Sequence, residues 1–145
     1  MSDLDAIREL VHRSSDAVCR RDTETWSGTW APDGIWDIGN GPVEGRDAVT
    51  AAWVEAMSGF SAVVQTVLNG TASCTGTAGS GRWHFQEYFV VDGGDPGMLF
   101  GAYDDDYVRL DAGWHFQRRL LTVYYLGAPD LTGWFNPESR PPATG

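Results

Sequence analysis

Two long runs rich in aromatic and β-branched residues share one short turn, and this pairing restricts the fold more than any other feature of the chain. Leu99 to Leu110 reads LFGAYDDDYVRL and Trp114 to Tyr125 reads WHFQRRLLTVYY, with Asp111, Ala112 and Gly113 between them. Runs of this composition bounded by turn formers make a β-hairpin. A three-residue loop ending in glycine suits a type I turn closed by a residue at positive φ. With that loop Leu110 faces Trp114, and counting outward sets Tyr107 opposite Gln117, Asp105 opposite Arg119 and Tyr103 opposite Leu121. One face then carries a carboxylate across from a guanidinium, flanked by rings, which is one wall of a pocket with a polar floor.

Composition bounds what such a pocket can serve. A chain of 145 residues is long enough for one domain with a substantial core. Seven Trp fit either a Trp-heavy core or subunit interface, or an aromatic-lined cavity for an apolar ligand. A net charge of −10 argues against a nucleic-acid partner, because neutralising phosphates needs clustered cations. Every basic residue is arginine, which excludes Schiff-base chemistry through a lysine amine. Cys19 and Cys74 stand too far apart for a common zinc motif, and no Gly-rich phosphate loop or nucleotide fingerprint occurs, so no metal or cofactor is expected. The first residues lack the basic and apolar regions of a signal peptide, and no apolar run reaches the length of a membrane span. These features predict a cytoplasmic protein with reduced thiols and no membrane partner.

Along the chain, the spacing predicts an amphipathic helix over Asp3 to about Arg21, with Ser2 or Asp3 as its cap. A short helix over Thr23 to Trp30 should end at the breaker Ala31-Pro32-Asp33-Gly34. A strand, a Gly-Asn-Gly turn and a third helix near Asp47 to Met57 follow, and from Ser61 onward the chain reads as strand. Three N-terminal helices packed against a curved antiparallel sheet give an α+β fold, a cone-shaped barrel with a partly apolar interior. We expect one domain over residues 1–133 and a Pro-rich tail over 134–145, with Trp134 and Phe135 as anchors.

The order and spacing of several short pieces resemble the nuclear transport factor 2-like superfamily, in particular its SnoaL-like branch, over about residues 4 to 133. The pieces are Ala6-Ile7-Arg8-Glu9-Leu10, Trp30-Ala31-Pro32-Asp33-Gly34-Ile35-Trp36, Val43-Glu44-Gly45-Arg46-Asp47-Ala48, Gly81-Arg82-Trp83, Gly101-Ala102-Tyr103-Asp104-Asp105, Gly113-Trp114 and Arg118-Arg119-Leu120. The resemblance implies the cone fold and a small hydrophobic substrate. The branch holds polyketide cyclases, scytalone dehydratase and lindane dehydrochlorinase, so it also implies cofactor-free acid–base chemistry, and a homodimer joined through the outer sheet face. Dehydratase-like members use an Asp on the first helix and a His on the first long strand. The matching positions here are Cys19 and Gln65, so that proton-shuttling dyad is absent, whereas Arg119 matches an arginine on the last strand.

Other residues must then carry the chemistry. Trp83, Phe85, Glu87 and Phe89 alternate on one face of a strand, and a carboxylate among three rings is raised toward the range a general acid or base needs. A cation such as Arg119 would instead neutralise it. Glu87 and Asp105 are the candidate bases, Arg119 the group stabilising developing negative charge, and His115 a further base beside Gln117 and Arg119. Gln65 and Tyr103 would orient the substrate, with Cys19, Trp26, Trp53, Val67, Trp83, Phe85 and Leu121 completing the lining. The expected activity is a dehydratase, isomerase or cyclase acting on an apolar, ring-bearing or polyketide-like metabolite. The alternative is a small-molecule binder or assembly protein that keeps the fold without catalysis.

Overall fold

The computed structural model describes residues 1–140. Helices α1 (Asp3–Arg20), α2 (Thr23–Gly28) and α3 (Arg46–Ser58) are joined by strands β1 (Trp30–Asp37) and β2 (Pro42–Glu44). Long strands β3 (Phe60–Thr75), β4 (Ala78–Val91), β5 (Pro96–Leu110) and β6 (Gly113–Gly127) follow, then a short β7 (Trp134–Phe135). Together they form an α+β cone. The sheet runs β2-β1-β6-β5-β4-β3, with β7 added to β6 where β1 leaves off. It stays open and is mixed, because β1 runs parallel to β6 while every other pair is antiparallel. Among the described residues no helix is long and apolar enough to cross a membrane.

Helix α1 is built as its spacing predicts. The Ser2 hydroxyl accepts from the Asp5 amide, and Ile7, Leu10, Val11, Ser14 and Val18 bury one stripe against the sheet. Arg21 closes the helix in the left-handed region at φ 54°, and its guanidinium donates to the carbonyls of Met57 and Phe60. Those bonds tie the end of α1 to the junction of α3 and β3.

The breaker after α2 lies inside a strand. Strand β1 already starts at Trp30, paired with Phe116, and pairing resumes at Ile35 opposite Arg118. The register breaks between them, so Pro32, which has no N–H to give a ladder, sits where none is required. Gly34 is needed there, since a Cβ would come within 2.8 Å of the Trp30 ring.

The hairpin turn is one residue tighter than the sequence suggests. Leu110 pairs with Gly113, at φ 117°, leaving Asp111 and Ala112 as the loop. A β-bulge then inserts Gln117, because Tyr107 pairs with Phe116 but Asp106 pairs with Arg118. The two shifts cancel, and Asp105 stands opposite Arg119 and Tyr103 opposite Leu121, as expected. The proposed tail contributes Trp134 and Phe135 to β7 opposite Leu126 and Tyr125, and residues 141–145 of it lie outside the described residues.

The core gathers between the helices and the concave sheet face around a group of tryptophans. Trp26 stacks on Trp53 at 4.6 Å, meets Trp36 edge-on at 5.5 Å and tilts against Trp30 at 5.6 Å. Such pairs add about 0.5–1.5 kcal/mol each beyond burial.

Candidate active site

Within the cone lies a cavity of about 270 Å³. Its apolar end is walled by Trp26, Trp36 and Trp53 with Met57 and Phe60, and its polar end by Gln65, Glu87, Tyr103 and Arg119. The strand period puts them there. On β4 the alternation Trp83, Phe85, Glu87, Phe89 is unbroken, and the pairing of Gln65 with Glu87 on β3 and of Glu87 with Leu99 on β5 brings three inward side chains into one row.

Glu87 has no cation within ion-pair distance among the described residues. Its one side-chain partner is Gln65, whose Nε2 donates to Oε1 at 3.2 Å. Burial pushes the Glu87 carboxyl above the usual carboxylate range, and the Gln65 bond opposes that rise without cancelling it.

Arg119 is fully committed on one side. Its Nε and Nη2 donate to the two oxygens of Asp105 at 2.7 and 2.9 Å. Asp105 Oδ2 also accepts from the Tyr107 hydroxyl, which in turn accepts from Trp83 Nε1, each at 2.9 Å. A buried chain of Trp83, Tyr107 and Asp105 thus holds the guanidinium in place, and Nη1 is the nitrogen left facing the cavity that Arg119 lines. The plane of that guanidinium is fixed too. Phe85 and Tyr103 stack at 4.3 Å, with Arg119 Cζ 3.9 Å from the Tyr103 ring and 4.1 Å from that of Phe116. Gly101 makes room for the stack, because a Cβ there would lie 2.6 Å from the Thr122 carbonyl and 3.3 Å from the Phe85 ring.

Burial holds the Tyr103 phenol well above its ordinary value; the Arg119 charge opposes this, and the Glu87 and Asp105 charges add to it. Tyr103 is therefore a protonated donor at neutral pH. Burial disfavours charge on Arg119, but the facing Asp105 carboxylate outweighs it and keeps the guanidinium cationic. The arrangement combines an unpaired carboxylate acceptor with fixed donors on one cavity wall. That is what abstracting a proton beside a developing oxyanion requires.

Of the residues singled out in the sequence, Trp26, Trp53, Gln65, Phe85, Glu87, Tyr103, Arg119 and Leu121 all line this cavity. Asp105 does not: it sits behind Arg119, with both oxygens engaged, and so anchors the cation instead of facing a substrate as a base. Trp83 lies beneath the floor, buried and bonded to Tyr107. Cys19 and Val67 line a separate surface groove with His12. Cys19 follows the inward-facing Val18 by one position, which turns it about 100° around the helix. Its thiol donates to the Gln65 carbonyl at 3.2 Å and accepts from the Gln65 amide at 3.3 Å, tying α1 to β3. His115 also misses the cavity, since the Gln117 bulge puts Trp114 and Phe116 on the buried face with Arg119 and turns His115 outward. Its Nδ1 is 2.8 Å from the Gly113 carbonyl.

Ten further residues line the cavity without having been singled out in the sequence, Trp36 and Ser14 among them. Trp36 falls on the Ile35-Trp36-Asp37-Ile38 alternation, which already implied a strand with one buried face. Ser14 is buried in the apolar stripe of α1, between Leu10 and Val18.

Residues 1–120 match the family model for the SnoaL-like domain. No curated protein matches the chain. Among solved structures, a candidate scytalone dehydratase from Novosphingobium aromaticivorans shares 21% identity, with 95% of this chain and 94% of that one covered at a TM-score of 0.80. Hexachlorocyclohexane dehydrochlorinase LinA-type3 from Novosphingobium barchaimii shares 17% identity, with 92% and 94% covered at 0.78. An NTF2-like protein with a cystatin-like fold from Novosphingobium aromaticivorans shares 25% identity, with 83% and 81% covered at 0.70. The likeness to these structures is one of fold.

Proposed function

We propose, for a chain that belongs to the SnoaL-like domain family, a cofactor-independent acid–base enzyme acting on a small apolar, ring-bearing metabolite. The observation that carries this reading is the Glu87 carboxylate on the cavity wall, raised by burial and free of any cation partner among the described residues. Glu87 takes a proton from a carbon next to a carbonyl. The C–H electron pair becomes the C=C bond of an enolate while the carbonyl π pair moves onto oxygen. The Tyr103 hydroxyl and Arg119 Nη1 donate to that oxygen, and Gln65 fixes the Glu87 carboxylate before and after the transfer. From a β,γ-enone the intermediate is a dienolate: the oxygen pair re-forms the carbonyl, the double bonds shift to Cα=Cβ and the γ-carbon takes the proton back from Glu87, which is isomerisation. Alternatively the enolate re-forms the carbonyl and expels a leaving group with its electron pair from the β-carbon, which is elimination.

The test is proton exchange in heavy water. Ring-bearing ketones that raise the melting temperature should incorporate deuterium next to the carbonyl faster with the protein than in buffer alone, as read by NMR. If cavity-binding ketones show only the buffer rate, the chain is a binder and not a catalyst. One observation favours that second reading: Gln65 occupies the dyad's strand position and has no titrating proton at neutral pH, while the thiol of Cys19 is spent on backbone bonds.

The outer sheet face carries the proposed homodimer contact. His84 stacks on Tyr124 at 5.8 Å beside Phe100, and Tyr88 on the same face is 45% exposed. Two copies related by a two-fold axis would cover this aromatic surface. Light scattering at micromolar concentration should give twice the chain mass, and a monomer would refute the contact.

A further inference from the structure

Charge on the cavity wall sorts ligands, a consequence that rests in part on the reading of Glu87 as the base. Among the described residues only two lining side chains are charged, Glu87 and Arg119. Arg119 is cancelled by Asp105 through bonds of 2.7 and 2.9 Å, and the Asp105 side chain is wholly shielded from solvent. The polar end therefore carries one net negative charge when Glu87 is ionised and none when it is protonated. It is never net positive.

The donors at that end still ask for an acceptor. Arg119 Nη1 and the Tyr103 hydroxyl both match an oxygen lone pair, and an ammonium group would leave them without one. A neutral carbonyl oxygen satisfies them with no ion to desolvate. A carboxylate of the same shape meets the same donors, but it must share a low-dielectric cavity with ionised Glu87 or force a proton onto it. At the other end Trp36 and the stacked pair Trp26 and Trp53 present flat apolar walls, and the space of about 270 Å³ suits one or two fused rings.

We infer that the cavity selects neutral aryl ketones or enones over carboxylates of the same shape, with Glu87 serving as an anion filter as well as a base. The test compares 2-acetylnaphthalene with 2-naphthoate by calorimetry on the wild-type chain and on Glu87→Gln. At pH 8 the wild type should bind the ketone at least about tenfold more tightly than the carboxylate. Carboxylate binding should weaken by up to about tenfold per pH unit once Glu87 is ionised, because each carboxylate bound brings a proton with it. Glu87→Gln should narrow the preference by about tenfold, through a gain in carboxylate affinity. Equal binding of the two ligands at pH 8, carboxylate binding that ignores pH, or failure of the ketone to bind up to its solubility would overturn the inference. The pH series needs only the wild type, so it decides the matter even if the variant folds poorly. Selectivity that holds while heavy-water exchange is missing would sink the acid–base reading alone.

Discussion

Glu87→Gln should lower ketone proton exchange, and turnover of the natural substrate, by about 10²–10⁴-fold, the usual share of general acid–base catalysis. The substitution keeps the shape of the side chain and a carbonyl oxygen that still accepts from Gln65, so affinity for a neutral ligand should change little. Loss in kcat with KM nearly unchanged is the signature of an interaction used only in the transition state. The pH profile supplies a second readout. Because burial raises the Glu87 carboxyl, kcat/KM should climb with pH through a value above the ordinary carboxylate range and then level off. Stability moves the opposite way. Between the ordinary and the raised value the folded chain binds more protons than the unfolded one, so the contribution of Glu87 is present at low pH and is lost as pH rises through the raised value. The melting temperature of the wild type should therefore fall across that window relative to Glu87→Gln. A variant with wild-type turnover would make Glu87 structural.

What the sequence showed of this site followed from side-chain alternation, and what it hid followed from breaks in that alternation. The run from Trp83 to Phe89 has no bulge, so its inward set, including Glu87, was readable by parity alone. Strand β6 is different. Its inward residues fall at Trp114, Phe116 and Arg119, all buried, and then at Leu121 on the cavity, a spacing of two, three and two that marks an extra residue. Gln117 and Arg118 are both polar, so counting from Arg119 carried the parity through them and put His115 on the wrong face. Asp105 was placed correctly across from Arg119, yet its role was hidden. Only the packed structure shows Tyr107 and Trp83 completing the bonds that withdraw its oxygens from the cavity. Cys19 is a case of rotation: a family position transferred by counting lands one residue past the inward-facing Val18, and on a helix one residue is a quarter turn.

Arg119→Leu should cost about 3–5 kcal/mol of stability, the usual penalty for stripping a buried ion of its partner. The cost follows from how completely the pair is enclosed. The side chains of Arg119 and Asp105 are 6% and 0% exposed, so the pair is held away from bulk water and Asp105 loses its counter-ion in a shielded site. The Tyr107 hydroxyl would be the one donor left to a shielded carboxylate. Adding Asp105→Asn removes the stranded charge while keeping an oxygen for Tyr107, so the double variant should recover part of the loss. Chemical denaturation of the four chains measures this coupling directly, and strictly additive losses would refute the pair. Function separates the two residues further. Asp105→Asn keeps Arg119 in the cavity and frees its charge, which should favour an oxyanion while loosening the guanidinium that stacks on Tyr103. Arg119→Leu removes the donor as well as the stack, so its exchange rate should fall further than that of Asp105→Asn. The reverse order would make Asp105 the group that meets the substrate, against the geometry that buries it behind the cation.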